Sequence, residues 1–551
     1  MHHRYIFIVG GVMSGVGKGT SSAALGLTLK ARGFSVTAVK IDPYVNVDAG
    51  TMNPVEHGEV FVTIDGDETD QDIGNYERFL DENITSVNYM TTGRVYQSVI
   101  ERERRGDYHG KCVEVVPRVP EEVIDRLEKA AKKAKADFVL VEIGGTVGEY
   151  ENILFLEAIR MMKLKNADDV RTVLVSYLPV PPSIGEMKTK PTQHAVREVN
   201  RIGINPEFLI CRSEVALDAP RREKLSRFCG VHPSHIITAP NAKSIYEVPR
   251  LFDEQGFADS MVKSFRMKPR MVPDLSAWDS LANTIETVDR PVRIGVIGKY
   301  FSTGDFVLSD AYLSVLEAIK HAAWSIGRKP VIEWLNSEAY EQDSSKLEEL
   351  SRYDGVLVPG GFGSRGIEGK MAAIHYVREH KIPYFGICYG MQCAVIEFAR
   401  SVLGLADAHT TEIAPKTKNP VIHLMNDQAK KLKGTGIGGT LRLGSYRCDL
   451  KAGSISRESY GADQISERHR HRYEFNNVYR ERLIDAGLVI AGTSPDDRLV
   501  EIVEVADHPF FVGVQFHPEF QSRPLRPHPL FVKFVQASSD KHDSTLRVDQ
   551  P

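Results

Sequence analysis

The sequence predicts two α/β domains, each built on a parallel sheet. Short apolar runs alternate with helical patterns through residues 1–265, and the alternation starts again at residue 292. This order is typical of parallel strands joined by helical crossovers, and 551 residues are enough for more than one domain. Both halves place a glycine-rich turn after a strand, where open α/β sheets bind ligands. Strands are predicted at 5–9, 36–41, 137–142, 172–177 and 208–211 in the first domain, and at 292–298, 355–358, 384–387 and 510–516 in the second.

Composition and charge exclude several broad classes of function. The formal net charge is −4, from 69 basic and 73 acidic residues, which gives no general attraction to nucleic acid or to an anionic membrane. No apolar run approaches the ~20 residues of a membrane-spanning helix, and a strand follows the first residues so closely that we expect no signal peptide. Six cysteines occur without a C-x-x-C pair, which argues against structural zinc and favours a reducing, cytoplasmic location.

A glycine-rich stretch, 10–20, lies between the first predicted strand and a helical pattern at 22–29. Glycines allow backbone N–H groups to surround an anion, the helix N-terminus adds positive potential, and Lys18 supplies a point charge. The spacing departs from the strict P-loop pattern, because five residues separate the flanking glycines and Thr20 stands two residues after the lysine. We predict a phosphate site here; the alternative is an ordinary glycine-rich turn.

Carboxylates at other strand ends predict a metal site beside this loop. Lys40 and Asp42 end the second predicted strand, and Glu142 ends the third. Mg²⁺ prefers hard oxygen ligands, usually one or two carboxylates together with substrate phosphates. We therefore pair Glu142 with Asp72, although Glu142 alone fits a strand-end salt bridge equally well. The rest of the acidic run 65–72 is interpreted as a solvated loop.

The stretch 188–193, Lys-Thr-Lys-Pro-Thr-Gln, is a second candidate anion site. Two lysines flank a threonine, and the proline suits a first helical turn. A solvated basic loop explains the same spacing equally well. Domain bounds are predicted at 1–266 and 291–537, with a linker at 267–290 that contains a helical segment and a disordered polar tail at 538–551. Residues 406–461, where glycine and lysine rise, are interpreted as a long surface insertion or lid.

The second domain carries the pattern of a cysteine nucleophile. Gly-x-Cys-x-Gly around Cys388 follows a predicted strand and precedes a helix, as in a nucleophile elbow. His517, at another strand end, is positioned to act as the base, and Glu519 to orient its imidazole. The glycine turn 358–363 offers backbone N–H groups for an oxyanion. The alternative for Cys388 is a buried structural cysteine, the interpretation we prefer for Cys393.

The order of these motifs resembles the CTP synthase family, in which an ATP-dependent amidoligase domain precedes a class I glutamine amidotransferase domain. The likeness covers nearly the whole chain. It is carried by residues 10–19, 40–44, 50–52, 57–62, 144–148, 188–193, 386–392, 468–476 and 517–519. The runs 188–193 and 468–476 are specific to this family, whereas the cysteine turn alone would indicate only a glutaminase.

This resemblance implies ATP-dependent amination of UTP to CTP with ammonia from glutamine. ATP would phosphorylate the uracil O4, and ammonia would then displace phosphate, giving ADP, phosphate, CTP and glutamate. Ammonia in water at neutral pH is mostly protonated, so the two sites should share an enclosed passage through the domain interface. The resemblance also implies GTP as an activator, CTP as a feedback inhibitor, and a homotetramer with filaments as a further assembly.

The resemblance further assigns site residues. ATP is assigned to Ser14, Gly15, Val16, Gly17, Lys18, Gly19, Thr20, Lys40 and Asp72, with Mg²⁺ on Asp72 and Glu142. UTP or CTP is assigned to Ser14, Glu149, Tyr150, Glu151, Lys188, Thr189, Lys190, Pro191, Thr192, Gln193 and Lys224. Glutamine is assigned, around Cys388, to Gly361, Tyr389, Gly390, Met391, Gln392, Glu412 and Arg472.

The sequence departs from the family pattern at a few positions. Glu114 and Arg118 stand where the family has glutamine and histidine, Glu149 replaces an aspartate, and Tyr389 replaces the leucine after the nucleophile. None of these belongs to the catalytic triad or the phosphate loop, so we expect activity. The role of the family's histidine is not transferred to Arg118.

Two other functions fit part of the pattern. Another amidoligase with the same domain pair, acting on a carboxylate substrate, would share the phosphate loop and the elbow but would not need the 188–193 run. A non-enzymatic assembly ATPase or filament-forming protein would need neither half-reaction. The intact set of Cys388, His517 and Glu519 argues against loss of turnover.

Overall fold

The computed structural model describes residues 2–298, 302–303, 306–307, 309–425 and 441–548. The chain divides into two compact units, Met1–Ala49 with Asp72–Asn283, and Gly50–Gln71 with Thr284–Pro551. Each unit is α/β and has its own main sheet, which confirms the predicted fold class. The segment Gly50–Gln71, called the strap below, belongs to the second unit, and the boundary between Asn283 and Thr284 falls inside the stretch 267–290 that was predicted as a linker. None of the helices in the described ranges combines the length and apolarity needed to cross a lipid bilayer.

The first unit is organised around a seven-stranded sheet in which all strands are parallel. From edge to edge its strands are Tyr89–Thr91, Val36–Asp42, Phe138–Ile143, Arg4–Gly11, Val170–Tyr177, Phe208–Ser213 and Ile236–Pro240. All five predicted strands are present in this sheet. The two edge strands were not predicted, because each is short and lacks the long apolar run of the central strands.

Helices cover both faces of this sheet, as its buried central strands require. They are Lys18–Lys30, Asp72–Leu80, Thr92–Arg104, Val115–Ala134, Ile153–Lys165, Lys190–Arg201, Ala219–Cys229, Val248–Glu254 and Phe257–Ser264. Helix Ser276–Thr287 lies within the predicted linker, which was expected to contain a helical segment. The core between sheet and helices is apolar, with side chains such as Phe7, Val141 and Leu174 fully buried.

The second unit contains a nine-stranded sheet of mixed direction. In spatial order its strands are Lys329–Asn336, Pro291–Gly298, Gly355–Val358, Tyr384–Ile387, Phe511–Val514, Val500–Val505, Leu488–Thr493, Arg442–Leu450 and Gln464–His471. The first five are parallel and include all four predicted strands. The last four continue the sheet in antiparallel pairs.

Smaller elements complete the second unit. Its helices are Pro54–His57, Leu313–Ser325, Ser337–Gln342, Ile367–Glu379, Tyr389–Ser401, Ile455–Tyr460, Arg480–Asp485 and Pro529–Val548. Ala408–Thr410, Asn419–Leu424 and Tyr473–Phe475 form a three-stranded sheet, and the strap forms a hairpin of Val60–Val62 with Glu68–Asp70. Ser302–Thr303 also pairs with Phe306–Val307.

Two predictions in this unit are wrong. The segment 406–461 is not a surface lid throughout, because Arg442–Leu450 is a strand of the main sheet and Cys448 on it is 1% exposed. The part of that segment at 426–440 lies outside the described residues. The polar tail is not disordered up to residue 548, since helix Pro529–Val548 runs through it and buries Phe534 in the core; residues 549–551 lie outside the described ranges.

Candidate functional site

The glycine-rich loop after the first strand builds an anion site. Strand Arg4–Gly11 leads through it into helix Lys18–Lys30, and no described side chain caps the first turn of that helix. Gly17 caps the helix at φ +87°, a left-handed conformation that glycine adopts without strain. A Cβ at Gly10 would lie 2.8 Å from Lys18 Nζ and 3.2 Å from the carbonyl oxygen of Gly145, so glycine leaves room here for the lysine side chain. The loop thereby holds a buried ammonium at the positive end of a helix.

A second lysine, Lys40, contacts both carboxylates that were predicted as metal ligands, those of Asp72 and Glu142. The sheet register sets Lys40 opposite Glu142 on adjacent strands. Lys40 Nζ donates to Glu142 Oε1 at 3.2 Å, forms an ion pair with Asp72, and lies 3.7 Å from Asp42 Oδ1. Lys40, Asp42 and Glu142 are almost completely buried, so these charges interact with little screening by water. The sequence prediction that these groups lie at one edge of the sheet is therefore correct.

Burial and like charge perturb the titration of this cluster. Burial raises the pKa of Glu142 and Asp72 raises it further, while Lys40 and Lys18 lower it, which leaves it at about 7. The pKa of Lys18 is lowered by burial, against the opposing effect of Glu142. Burial also raises the pKa of Asp42. Three carboxylates thus lie around two ammonium groups. Carboxylate oxygens are hard metal ligands, and their excess over the positive charges fits an additional divalent cation.

A small cavity beside the phosphate loop was missed by the sequence analysis. It has a volume of about 100 Å³ and is lined by Gly17, Thr20, Arg212, Ala239 and neighbouring residues. Arg212 Nη1 donates to the carbonyl of Ala239 at 2.8 Å, which fixes the guanidinium against the strand end. The only sequence signal was the position of Arg212 at the end of a predicted parallel strand.

The 188–193 stretch forms the beginning of a helix. Helix Lys190–Arg201 has Pro191 in its first turn, as predicted. Gln193 is 2% exposed and donates to Thr189 Oγ1 at 3.1 Å, and its Oε1 meets no donor within the described ranges. Lys188 is less enclosed and donates to Glu186 Oε2 at 2.8 Å. The stretch is therefore not a fully solvated loop, because it forms the first turn of a helix and buries Gln193.

The glycine turn after strand Phe138–Ile143 is tied to the phosphate loop. Lys18 Nζ donates to the carbonyl of Gly145 at 2.9 Å. Glu149 Oε2 accepts from the backbone N–H of Thr146 at 2.7 Å and so folds back on this turn. Among the other residues assigned to the pyrimidine nucleotide, Thr192 is buried and its hydroxyl lies 2.8 Å from Ser176 Oγ. The rest are exposed to solvent: Ser14, Tyr150, Glu151, Lys190 and Lys224.

Two departures from the family pattern lie at the start of helix Val115–Ala134. Glu114 is exposed, directly before the first turn. Arg118 donates to Glu121 Oε2 at 2.8 Å, and its guanidinium lies 5.5 Å from the ring centroid of Tyr108. Arg118 is therefore held by an ion pair and a cation–π contact within the first unit. A histidine at this position would form different contacts.

Cys388 occupies a strained turn between strand Tyr384–Ile387 and helix Tyr389–Ser401. Its backbone has φ +50° and ψ −97°, a conformation that residues other than glycine rarely adopt. The residue is 5% exposed, and its Sγ lies 3.8 Å from the carbonyl oxygen of Arg470. The strand–turn–helix geometry matches the predicted nucleophile elbow and places the cysteine at the N-terminus of helix Tyr389–Ser401.

His517 and Glu519 form the buried pair predicted from their spacing. His517 Nδ1 lies 2.8 Å from Glu519 Oε1, and both residues are less than 10% exposed. Burial alone lowers the pKa of His517, but Glu519 and Cys388 outweigh it and raise the pKa to about 10. The imidazole is therefore held as a cation at neutral pH beside the cysteine sulfur.

A cavity of about 320 Å³ opens next to Cys388. Five of the residues assigned to glutamine line it: Gly361, Tyr389, Gln392, Glu412 and Arg472. Gly390 and Met391 lie on the first turn of the following helix, and Met391 is fully buried in the core. Tyr389, which departs from the family pattern, donates its hydroxyl to the carbonyl of Gly363 at 2.7 Å. This hydrogen bond links the glycine turn 358–363 to the nucleophile elbow at Cys388.

The strap lines a second, smaller cavity at the same cysteine. This cavity of about 90 Å³ is lined by Glu59 and Val60 together with Cys388 and His517. The Glu59 carboxylate accepts from the backbone N–H of Ser314 at 3.1 Å, at the start of helix Leu313–Ser325. The run 57–62 supported the family resemblance, but sequence reasoning gave it no role at the cysteine.

The acidic run is not the solvated loop that was predicted. Glu68, on the strap, is 3% exposed and accepts from Arg470 Nε at 2.8 Å. Arg468 donates to the carbonyl of Val62 at 3.0 Å, and Phe61 packs edge-on against Phe520. These contacts explain why the strap belongs to the second unit.

Comparisons with known proteins identify both halves of the chain. The family model described as "CTP synthase N-terminus" matches residues 4–267, and the model described as "Glutamine amidotransferase class-I" matches residues 307–537. A CTP synthase of Cyanothece sp. is 48% identical over 553 residues, covering 100% of this chain and 99% of the relative. A CTP synthase of Clostridium acetobutylicum is 50% identical over 542 residues, covering 98% of this chain and 99% of the relative.

One of the solved structures that match is similar to part of this chain. It is the glutaminase domain of Trypanosoma brucei CTPS with bound acivicin, which is 36% identical and superposes with a TM-score of 0.42. The match covers 45% of this chain and 94% of that domain.

Proposed function

The chain belongs to the CTP synthase family, which converts UTP to CTP with glutamine as the nitrogen donor, and we propose how its residues divide this reaction. The first unit would activate UTP with ATP, and the second would release ammonia from glutamine. The observation that carries this division is the presence of two separate buried clusters of charge. One is centred on Lys18 and Lys40, and the other on Cys388 and His517.

ATP phosphates would bind at residues 14–20, with their charge neutralised by Lys18 and Lys40. The uncapped first turn of helix Lys18–Lys30 and the buried ammonium support this assignment. Part of the nucleoside of ATP would lie against the small cavity lined by Gly17, Thr20 and Arg212, because this cavity adjoins the phosphate loop.

Mg²⁺ would be held by Asp72 and Glu142. The crowding of these carboxylates with Asp42 around Lys40 supports a divalent ion here, since hard oxygen ligands are what Mg²⁺ prefers. When bound, the ion supplies positive charge to the transferring phosphoryl group. Lys40, which contacts both Asp72 and Glu142, would add its positive charge beside the phosphates.

UTP would lie at the start of helix Lys190–Arg201, with Lys188–Gln193, Glu149–Glu151, Ser14 and Lys224 around it. The N-terminus of helix Lys190–Arg201 and the lysines beside it support binding of the UTP phosphates at this position. The uracil O4 is a poor leaving group until it is phosphorylated. Its displacement by ammonia then releases phosphate and forms the 4-amino group of CTP.

In the second unit, the Cys388 thiolate would attack the amide carbon of glutamine. Glu412 and Arg472 provide opposite charges for the amino and carboxylate groups of the amino acid, and the turn at Gly361 provides backbone donors for the oxyanion. The His517 imidazolium, kept protonated by Glu519, would give its proton to the departing ammonia. Water then hydrolyses the thioester to glutamate.

We propose on the same premise that GTP activates glutamine hydrolysis and that CTP inhibits by occupying the UTP site. The protein would act as a homotetramer, with filaments as a further assembly, in the cytoplasm. The family-specific runs 188–193 and 468–476 support the regulatory proposals. No disulfide bond joins any of the six cysteines, all of which lie in the described ranges, and this supports a reducing compartment.

Two variants test the division of labour through CTP formation from UTP and ATP. Cys388→Ala should abolish synthesis from glutamine and retain synthesis from ammonium chloride, because only the nitrogen source depends on the thiolate. Lys18→Ala should lower synthesis from either donor by at least about 100-fold while glutamate release continues. Loss of ammonia-dependent synthesis in folded Cys388→Ala would contradict the division, as would full activity of Lys18→Ala.

A further inference from the structure

Gln515 contacts the nucleophilic sulfur, although no motif marked it. It lies two residues before His517, just after strand Phe511–Val514, and is 1% exposed. Its side-chain Nε2 lies 3.6 Å from Cys388 Sγ in hydrogen-bonding geometry. Its backbone N–H donates to the carbonyl of Glu501 at 2.8 Å, which fixes the residue to the neighbouring strand. A buried amide is therefore held directly against the cysteine.

A chain of hydrogen bonds determines which end of this amide faces the sulfur. Gln392 Nε2 donates to the backbone carbonyl of Tyr473 at 3.0 Å, and a carbonyl can only accept. The same Nε2 also donates to Gln515 Oε1 at 3.2 Å. Because Gln515 Oε1 is the acceptor in that bond, its Nε2 must be the atom that faces Cys388. The sulfur therefore meets a donor.

From this geometry we infer that Gln515 is a further catalytic residue of the glutaminase, donating an N–H to the Cys388 thiolate. An amide N–H donates a hydrogen bond but cannot accept one. It therefore stabilises the thiolate, and it gives no stabilisation to a neutral thiol whose proton points toward it. The carbonyl of Arg470, 3.8 Å from Sγ, remains available to accept from the thiol. This inference rests on the proposed role of Cys388 as nucleophile.

The hydrogen bond from Gln515 to the sulfur of Cys388 contributes to two steps of the reaction. Before attack it favours the thiolate, together with the imidazolium of His517. After acylation the sulfur is neutral, and the bond weakens. When water attacks the thioester carbon and the C–S bond breaks, the electron pair returns to sulfur and the Gln515 N–H stabilises the departing thiolate. Water supplies the oxygen of the glutamate carboxylate, and its proton passes to His517.

Other charged groups face the same sulfur and are common to wild type and variants. Those lining the two cavities beside Cys388 are Glu59, Glu412, Arg470, His471, Arg472, His517 and Glu519. A substitution at Gln515 changes none of these charged groups. A difference in the pH dependence of thiolate formation between wild type and variant therefore measures the contribution of the Gln515 amide.

The test uses the full chain with Gln515→Met, which keeps the length of the side chain and removes the donor. The pH profile of Cys388 alkylation by iodoacetamide should move to higher pH by about one unit, the tenfold change that 1.36 kcal/mol represents. The kcat for glutamate release should fall about 10- to 50-fold with little change in KM, because the amide touches sulfur rather than substrate. Ammonia-dependent CTP synthesis should keep its wild-type rate, which also reports folding.

Two further variants sharpen the result. Gln515→Glu is isosteric, keeps the acceptor for Gln392, and places an acceptor against the sulfur, so its alkylation profile should move further than that of Gln515→Met. Gln521→Met is the matched control, since Gln521 Nε2 donates to the carbonyl of Ser466 at 3.0 Å and contacts no reacting atom; its profile should match wild type.

An unchanged alkylation profile in folded Gln515→Met or Gln515→Glu would overturn the inference, even if kcat fell. Failure of the proposed function looks different. In that case alkylation of Cys388 in the wild type would leave glutamine-dependent synthesis intact, whatever the Gln515 variants do.

Discussion

The charge of Glu519 sets the pH range in which the second unit works, and Glu519→Gln tests this. The wild-type imidazolium of His517 has a pKa of about 10, so its protonated form persists through neutral and mildly alkaline pH. Glutamine can still accept from Nδ1, which lies 2.8 Å from Oε1, but it carries no charge. Replacing a buried charge-assisted bond by a neutral one costs about 1.4–2.8 kcal/mol, or about one to two pKa units.

The sign follows from the direction of that change. A lowered pKa means that the imidazolium is lost at lower pH, so the alkaline limb of glutamate release should move from near 10 to about 8–9. The assay is glutamate release between pH 6 and 10.5, with ammonia-dependent CTP synthesis measured in parallel to normalise for pH effects on the first unit.

A matched control exists in the same unit. His528 Nε2 lies 2.9 Å from Glu467 Oε1, and both residues are buried, but the pair lines neither cavity at Cys388. Glu467→Gln should leave the alkaline limb in place. If the limb of Glu519→Gln coincides with that of wild type, or if Glu467→Gln moves it equally, the role assigned to the Glu519 charge is refuted.

Two other outcomes follow from buried charges in the first unit. Glu142→Gln should lower ammonia-dependent synthesis at least about tenfold at saturating ATP and raise the Mg²⁺ concentration for half-maximal rate, while nucleotide-free glutamate release stays unchanged. Arg32, 1% exposed, donates to Asp259 at 2.7 Å and pairs with Asp253 at 2.8 Å, so Arg32→Met should destabilise the protein by about 2 kcal/mol. Urea unfolding measures the latter, and a midpoint equal to wild type would contradict it.

The parts of each site that are local in sequence could be predicted from it. The phosphate loop and the cysteine elbow each consist of a strand, a turn and a helix start within about a dozen residues, so the motif alone fixes the geometry. The alternation of apolar strands and helices likewise predicted the parallel strands, whose carboxyl ends bring Lys40 and Glu142 together. The pairing of His517 with Glu519 followed from their spacing and is present in the structure.

Contacts between distant strands could not be predicted in the same way. The sequence of strand Arg442–Leu450 was interpreted as an insertion because glycine, serine, arginine and aspartate interrupt its apolar residues. Its place in the sheet comes from pairing with Gln464–His471 and Leu488–Thr493. Gln515 carries no catalytic signature as a residue type. Its role depends on the direction in which Gln392 and Tyr473 fix its amide, and those residues are far away in sequence.

The error over the acidic run has a more general physical cause. Glu68 on the strap and Arg470 in the arginine–histidine run each belong to a charged stretch that, read alone, predicts a solvated surface. A buried charge is tolerated only with a partner, and here each stretch provides the partner of the other. Glu68 is buried and Arg470 half-buried, and they pair across some 400 positions of sequence. A charged run therefore predicts an exposed surface only when no run of opposite charge contacts it in the fold. The segments 57–72 and 468–472 contact each other, so the prediction of exposure fails for both.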